Sequence, residues 1–577
     1  MNEQELQALF ARIDEQYDRV RKPLTQRINI EERMVPATEE YRLRTVITRP
    51  VDLPGPFSTI VIRNCYPESE PLCMHQAQEL AKRGFACVVQ WTRGLNGSEG
   101  VWEPYIYERN DGKALMDWLQ EQAWVRNIGL MGASYLALVG WEIADILPEK
   151  VRTMYLTVLG TEWHTSLWQE GAFRQDVYTS WLMSNARDDV QADYLTSARY
   201  RPQMQVDEDL WKARVQVYRD FIGHPDPSDA YWHTGLWGTL EQVPGKMNIP
   251  VFMGEGWYDI HLGNMLKNYT RLSETSRRHT VMQVNPGNHP LIPVIPGQKK
   301  QEHAAIQEYE QQIRWFTEIL MENRLPEPGV HFYLIGADEW RTYPGYPVPA
   351  KEETWYLDGR DLSREPGEDG RRGYVYDPDD PVPSHGSGTL FYTADGVGSL
   401  KQPEPDWRPD VLSYVSEPLE EARDIVGRIQ VKLWIETDAP DTCFTAKLME
   451  VNANGEAYNI RDGITTLAYT NGAQTRQRYA GGPVEVTIDC WEIAFRVQKG
   501  SRLRVDISSS NFPEYSIHPN TEELWSEAKD VRKASQTILT GKDYPSRVIL
   551  PLDTRTEQTG RENGYNRGEQ HDAHGSF

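Results

Sequence analysis

Residues 127–141 read NIGLMGASYLALVGW: a short apolar run, a small-residue turn carrying one serine, and a second apolar run at helical spacing. Ile128, Leu130 and Met131 predict a strand, and Leu138, Val139 and Trp141 predict a helix with an apolar face. A strand that bends sharply into a helix can mount a nucleophile at the bend, and Gly132 and Ala133 supply the small side chains that such crowding demands. Ser134 is therefore the candidate nucleophile. The fifth position of the usual G-x-S-x-G is Leu136, and an ordinary helix capped by serine has the same local pattern, so the rest of the chain must discriminate.

Residues 1–40 predict an amphipathic helix, with Leu6, Leu9, Phe10 and Ile13 at helical spacing, followed by an arm. Alternation over 41–48 predicts an antiparallel edge strand, and β-branched runs at 59–63 and 86–90 flank a helix over 74–83. A helix over 107–122 leads into the strand before Ser134, and 151–158 is again strand-like. Strands alternating with helices predict a parallel sheet covered on both faces. The alternation stops at about 161, where a stretch rich in Trp, Tyr, Arg and Asp shows helical patterns at 177–185 and 210–222. Strands return at 249–254 and 279–284 around a helix over 263–273, then a long amphipathic helix over 301–321 and a strand over 330–335. Beyond 348, turn-rich segments separate short alternating runs at 429–437, 445–451, 484–488 and 503–508, the pattern of a sandwich or jelly roll. The expected class is α/β. An α/β-hydrolase domain takes 1–160 and 244–347, a helical cap 161–243, and an all-β jelly-roll domain 348–577, ending in a polar, mobile tail after Asp553.

A chain of 577 residues exceeds what one core supports, so two to four domains are expected. The formal charge of −24 disfavours nucleic acid and anionic membranes as partners, since both repel an acidic chain. Five cysteines without a C-x-x-C pair signal neither a disulfide framework nor a zinc site. The N-terminal stretch lacks a signal peptide's apolar segment, and no uncharged apolar run approaches the roughly 20 residues that span a bilayer. A cytoplasmic location is the expectation.

A serine needs a neighbouring base, and that base needs a third group to set its tautomer; on this fold the order is Ser, acid, His, each beyond a strand's carboxyl end. After Ser134, one late strand runs into Gly254-Glu255-Gly256-Trp257-Tyr258-Asp259, and the next into Val284-Asn285-Pro286-Gly287-Asn288-His289. Asp259 and His289 meet the requirement in order. Glu255 competes but lies closer to the strand end. His261 is too close in sequence to Asp259 to come from a separate strand end and reads as a pocket-lining or capping residue. His164, His224 and His233 match no metal spacing. The oxyanion needs two donors. One is the Tyr135 N–H; for the other, the loop after an early strand offers the Tyr66 hydroxyl.

Ile62-Arg63-Asn64-Cys65-Tyr66, the TRGLNGSEG of 92–100, Gly132-Ala133-Ser134-Tyr135, Gly256-Trp257-Tyr258-Asp259 and Pro286-Gly287-Asn288-His289, with stretches at 411–418, 441–451 and 501–513, together resemble the cocaine esterase (CocE/NonD) family. That family is related to the X-Pro dipeptidyl peptidases and the α-amino acid ester hydrolases. The resemblance covers nearly the whole chain. It implies an α/β-hydrolase core, an inserted helical cap and a C-terminal jelly roll closing one side of the site. By position it implies Ser134, Asp259 and His289 as the triad and Tyr66 with the Tyr135 N–H as the oxyanion donors. Three positions depart from the family pattern: Ala137 replaces a glycine, Trp91 an aspartate, and Gly287 a tryptophan. The acidic residues that hold a substrate ammonium in the amino acid ester hydrolases have no counterpart in Ile260, His261 and Leu262, and the peptidases' large N-terminal helical domain is missing. The expected function is a serine hydrolase of carboxylic esters. An amidase or X-Pro type peptidase using the same triad is the alternative, and a non-catalytic binding protein a further one. Trp91, Trp163, His164, Trp168, Trp257 and His261 are expected pocket residues. No metal or cofactor is expected; the partner is a small-molecule ester or amide, and self-association is left open.

Overall fold

The structure, a computed structural model, describes residues 3–186, 190, 192–295, 299–388 and 396–555. One sheet of ten strands carries the candidate site. In chain order these are β1 (Ile28–Pro36), β2 (Arg42–Pro50), β3 (Phe57–Asn64), β4 (Ala86–Trp91), β5 (Val125–Ala133), β6 (Val151–Thr157), β7 (Val251–Gly256), β8 (Val281–Asn285), β9 (Gly329–Leu334) and β10 (Glu339–Tyr343). They lie in the order β1-β2-β4-β3-β5-β6-β7-β8-β9-β10. Pairing from β4 through β9 is parallel, and β1, β2 and β10 run antiparallel to their neighbours.

Period-two alternation divides the core between the two faces of this sheet. Ile60 and Ile62 of β3, with Cys87, Val89 and Trp91 of β4, pack with Ile13 and Tyr17 of helix α1 (Glu3–Val20) and Ala77 and Leu80 of helix α2 (Glu70–Lys82). Val61 and Val88 point to the other face, where Leu115 and Leu119 of α3 (Glu108–Glu121) and Leu138 of α4 (Tyr135–Trp141) belong to the larger core.

The observed elements differ from the sequence reading at four places. The arm before 41 contains β1, so β2 is an interior strand. β1 escaped notice because it is mostly exposed and the charged run Glu31-Glu32-Arg33 interrupts its alternation, as charge on edge strands often does. The helix expected over 301–321 begins at Glu308, because the Asp338 carboxylate draws off the preceding chain by accepting the Glu302 and His303 N–H groups at 3.1 and 2.9 Å. The stretch 210–222 is not one helix: Asp207 accepts the Val215 N–H at 2.9 Å and folds Val206–Asp209 back on Gln216–Gly223. The runs expected at 429–437 and 484–488 belong to the antiparallel strands Arg423–Thr437 and Val484–Val497, in a second sheet of eleven strands. That sheet meets the first where Ile335 donates to the Ala494 carbonyl at 3.0 Å and accepts from the Arg496 N–H at 2.7 Å. The tail expected to be mobile lies, from residue 556, outside the described residues.

β5 ends at Ala133 and α4 begins at Tyr135, so Ser134 alone makes the bend, with φ 57° and ψ −129°. A Cβ at Gly132 would stand 2.2 Å from the Leu136 carbonyl oxygen, so the helix can start this soon after the strand only if residue 132 has no side chain. Ala137, in the position where a glycine is usual, is fully buried in α4. Gly132→Ala is expected to destabilise the fold by more than about 3 kcal/mol, as severe overpacking does. Ala137→Gly should cost about 1 kcal/mol, the helix-propensity difference. Urea midpoints of the two variants measure both, and equal midpoints would refute this account of the bend.

Candidate active site

Three loops at the carboxyl ends of parallel strands converge. Ser134 follows β5, Asp259 follows β7 and His289 follows β8. The last two loops are tied together: the Trp257 N–H donates to the Asn285 carbonyl and the Tyr258 N–H to the Gly287 carbonyl, each at 2.9 Å. Their approach leaves no room for a side chain at 256, where a Cβ would meet the Gly287 oxygen at 2.4 Å; within the second loop, a Cβ at Gly287 would meet Asn285 Oδ1 at 2.7 Å. The Ser134 N–H is in turn held by the Thr157 carbonyl at the end of β6, at 3.0 Å.

The side chains then meet. His289 Nε2 lies 2.8 Å from Ser134 Oγ, and its Nδ1 lies 2.6 Å from Asp259 Oδ2. Asp259 Oδ1 accepts the His261 N–H at 2.6 Å. Burial acts to raise the Asp259 pKa, but His289 and His261 outweigh it and hold the carboxyl below its ordinary range. An ionised acceptor at Nδ1 places that proton between His289 and Asp259 and leaves the Nε2 lone pair facing the serine hydroxyl. Glu255, the competing acid, is buried on β7 with Oε1 accepting the Gly256 N–H at 2.9 Å. Burial, then the Asp259 charge, push its carboxyl well above the usual range. It makes no bond to His289.

Tyr66 reaches the serine from the loop after β3. Ser134 and the Trp181 indole act on its phenol to lower the pKa, but burial, then Cys65, lift it well above the ordinary tyrosine value, so it stays a neutral donor. The Tyr135 side chain turns away into the core, where its hydroxyl donates to Glu108 Oε1 and accepts the Tyr105 N–H, both at 2.7 Å. What Tyr135 offers the site is its backbone N–H, which as the first of α4 has no preceding helical carbonyl to bond. Trp181 and Glu108 escaped the sequence reading. Trp181 sat within the helical pattern at 177–185, but its partner Tyr66 is far away in sequence, and Glu108 had no signal beyond its helix.

The expected pocket residues scatter. Trp91 is fully buried on the opposite face of the sheet with the Arg44 guanidinium 4.6 Å from its ring centre, and Trp257 is core, its indole donating to the Tyr333 carbonyl at 2.8 Å. Both side chains are fully buried. Both read as pocket residues from their nearness in sequence to loops of the site, while strand direction sends their side chains elsewhere. Trp168 is buried and donates to the Phe221 carbonyl at 3.0 Å. Trp163 and His164 border a small cap cavity with Trp232 and Trp237, with His164 Nε2 2.9 Å from the Pro225 carbonyl.

His261 alone of the six stands beside the triad, its ring centre 5.5 Å from that of His289. Its Nδ1 is 3.1 Å from Ser166 Oγ, which accepts the Asn264 amide at 2.8 Å. Asp259, His261 and His289 thus bring one potential metal donor each within 4.8 Å of one another. Burial lowers the His261 pKa to about 3, so the folded protein holds it neutral. The unfolded chain takes up this proton below about 6.5, so the stability tied to neutral His261 is complete above that pH and is lost as pH falls toward 3. The slope is about 1.4 kcal/mol per pH unit at most. His261→Gln should flatten the fall in urea midpoint between about pH 6 and pH 4, and parallel curves would refute it.

Residues 39–290 match the X-Pro dipeptidyl-peptidase (S15 family) model, and residues 323–549 match the X-Pro dipeptidyl-peptidase C-terminal non-catalytic domain. A cocaine esterase from Rhodococcus sp. (strain MB1 Bresler) is 27% identical over 574 residues, spanning 90% of this chain and 98% of the relative. The crystal structure of an aminopeptidase from a marine sediment archaeon, Thaumarchaeota archaeon, superposes with a TM-score of 0.77 at 18% identity, covering 91% of this chain and 97% of that one. An α-amino acid ester hydrolase superposes with a TM-score of 0.76 at 20% identity, covering 92% and 98%. The two structural likenesses speak for the fold. The chain thus carries the match to the S15 catalytic model followed by the match to the C-terminal domain model, and it is similar to the esterase over nearly its whole length.

Proposed function

We propose that the protein hydrolyses a carboxylic ester of a small molecule through an acyl-enzyme on Ser134. The observation that carries this reading is the continuous relay from Ser134 Oγ through His289 to Asp259, at 2.8 and 2.6 Å. Ser134 Oγ attacks the carbonyl carbon while His289 Nε2 takes its proton, and Asp259 stabilises the imidazolium. The Tyr66 hydroxyl and the Tyr135 N–H receive the oxyanion. His289 returns the proton to the leaving alkoxide, then activates a water that releases the acid and restores the serine. Every step uses the chain's own groups, so no metal or cofactor is required. Five free, buried cysteines suit a reducing compartment such as the cytoplasm, and among the described residues no helix is long and apolar enough to cross a membrane.

The match to the S15 peptidase model supports a second reading, cleavage of an aminoacyl or prolyl amide by the same relay. The two readings differ in the leaving group. We expect kcat/KM for p-nitrophenyl acetate to exceed that for glycyl-prolyl-p-nitroanilide by at least about a hundredfold, and the reverse order would favour the peptidase. A fluorophosphonate probe should label the wild type and not Ser134→Ala; equal labelling of both would overturn the nucleophile. Tyr66→Phe should lower kcat by about 10²–10³ with KM within about threefold, the effect of losing one oxyanion donor. A change confined to KM would make Tyr66 a binding residue only.

A further inference from the structure

The C-terminal sheet contains a cavity of about 480 Å³, lined in part by Trp407, Thr445, Lys447, Asp462, Asp506 and Asn511. That volume suits a small organic ligand. Three neighbouring strands build its floor: Arg502–Ser508, Cys443–Val451 and Ala457–Thr466. Asp506, Lys447 and Asp462 occupy one register row across them, so their side chains emerge on the same face.

Opposite charges side by side on adjacent strands ordinarily pair. Here both carboxylates are committed elsewhere. Asp506 accepts Arg504 Nε and Nη2 at 2.8 and 2.7 Å and the Ser413 hydroxyl at 2.7 Å. Asp462 accepts the Ser387 hydroxyl, and the Asn511 amide at 3.3 Å. Lys447 Nζ donates to the His385 carbonyl at 3.0 Å, and among the described residues no carboxylate lies within ion-pairing distance of it. An ammonium carries three N–H donors, so a half-buried cation keeps donor capacity to spare. Val382, Val411 and the partly exposed Trp407 supply an apolar stretch of wall, with Lys401 and Gln402 among their polar neighbours. A ligand that complements both features has one anionic group and an apolar body.

We propose that this cavity is a second ligand site, distinct from the one around Ser134, that seats a small monocarboxylate with an apolar body on the Lys447 ammonium. Benzoate serves as the probe and neutral benzamide as its control, titrated calorimetrically into the full chain with Ser134 blocked by a fluorophosphonate, or into Ser134→Ala. We expect saturable benzoate binding, at least about tenfold weaker binding of benzamide, a loss of at least tenfold in Lys447→Met, and affinity within about threefold of wild type in Lys447→Arg, since a charge-assisted hydrogen bond is worth about a factor of ten or more. Amine-reactive footprinting of the unmodified chain, read by mass spectrometry, should show Lys447 protected by saturating benzoate and not by benzamide, whether or not the methionine variant folds. Absence of benzoate binding, equal affinity for benzamide, or Lys447 labelled at the same rate with and without benzoate would each overturn the proposal.

Discussion

Ser134 holds a backbone conformation, φ 57° and ψ −129°, that an L-residue adopts only when its surroundings impose it. The imposing contacts are identifiable. β5 is pinned between β3 and β6, the Ser134 N–H bonds to the end of β6, and the Leu136 carbonyl sits where a side chain on residue 132 would be. The strain aims the hydroxyl out of the bend and turns the first N–H of α4 toward the same space. The proposed nucleophile and one proposed oxyanion donor are therefore consequences of a single turn, and a side chain at 132 would disturb both.

Environment sorts the ionisable groups around that turn. Glu255, Asp259 and His261 lie within seven residues of chain and are all buried. Asp259 stays ionised because two partners bond its oxygens. Glu255 has a backbone N–H on one oxygen and, among the described residues, nothing on the other, and it faces the Asp259 charge, so its neutral form is favoured. His261 is kept neutral by burial, and its accepting nitrogen is spent on Ser166. One carboxylate beside one neutral acid lets the charge on Asp259 act on His289 without a second negative charge competing for it.

Two departures from the family pattern acquire physical reasons. Gly287 accepts the Tyr258 N–H where the β7 and β8 loops meet, and a side chain there would strike Asn285 and Leu291 of its own loop; the small residue lets the loop that carries His289 fold back on itself. Trp91 faces α1 and α2 under Arg44, so it changes the core of the opposite face and leaves the space above Ser134 to others. Nearer the serine, Trp181 stacks on the Tyr135 ring at 5.7 Å and His261 stands 5.5 Å from His289.

The local sequence was sufficient for everything encoded by nearest neighbours: the strand-serine-helix bend, the β-α alternation, and the order of Ser134, Asp259 and His289 on strand ends. Hydrophobic periodicity and turn chemistry are short-range properties, so those features were legible. Side-chain partnership is not short-range. That Tyr66 meets Trp181, that Trp91 and Trp257 point into core while His261 stands beside the triad, and that Lys447 shares a row with two carboxylates it does not pair with depend on strand order, register and facing. These are set by which surfaces bury together across hundreds of residues, and only the tertiary structure decides them.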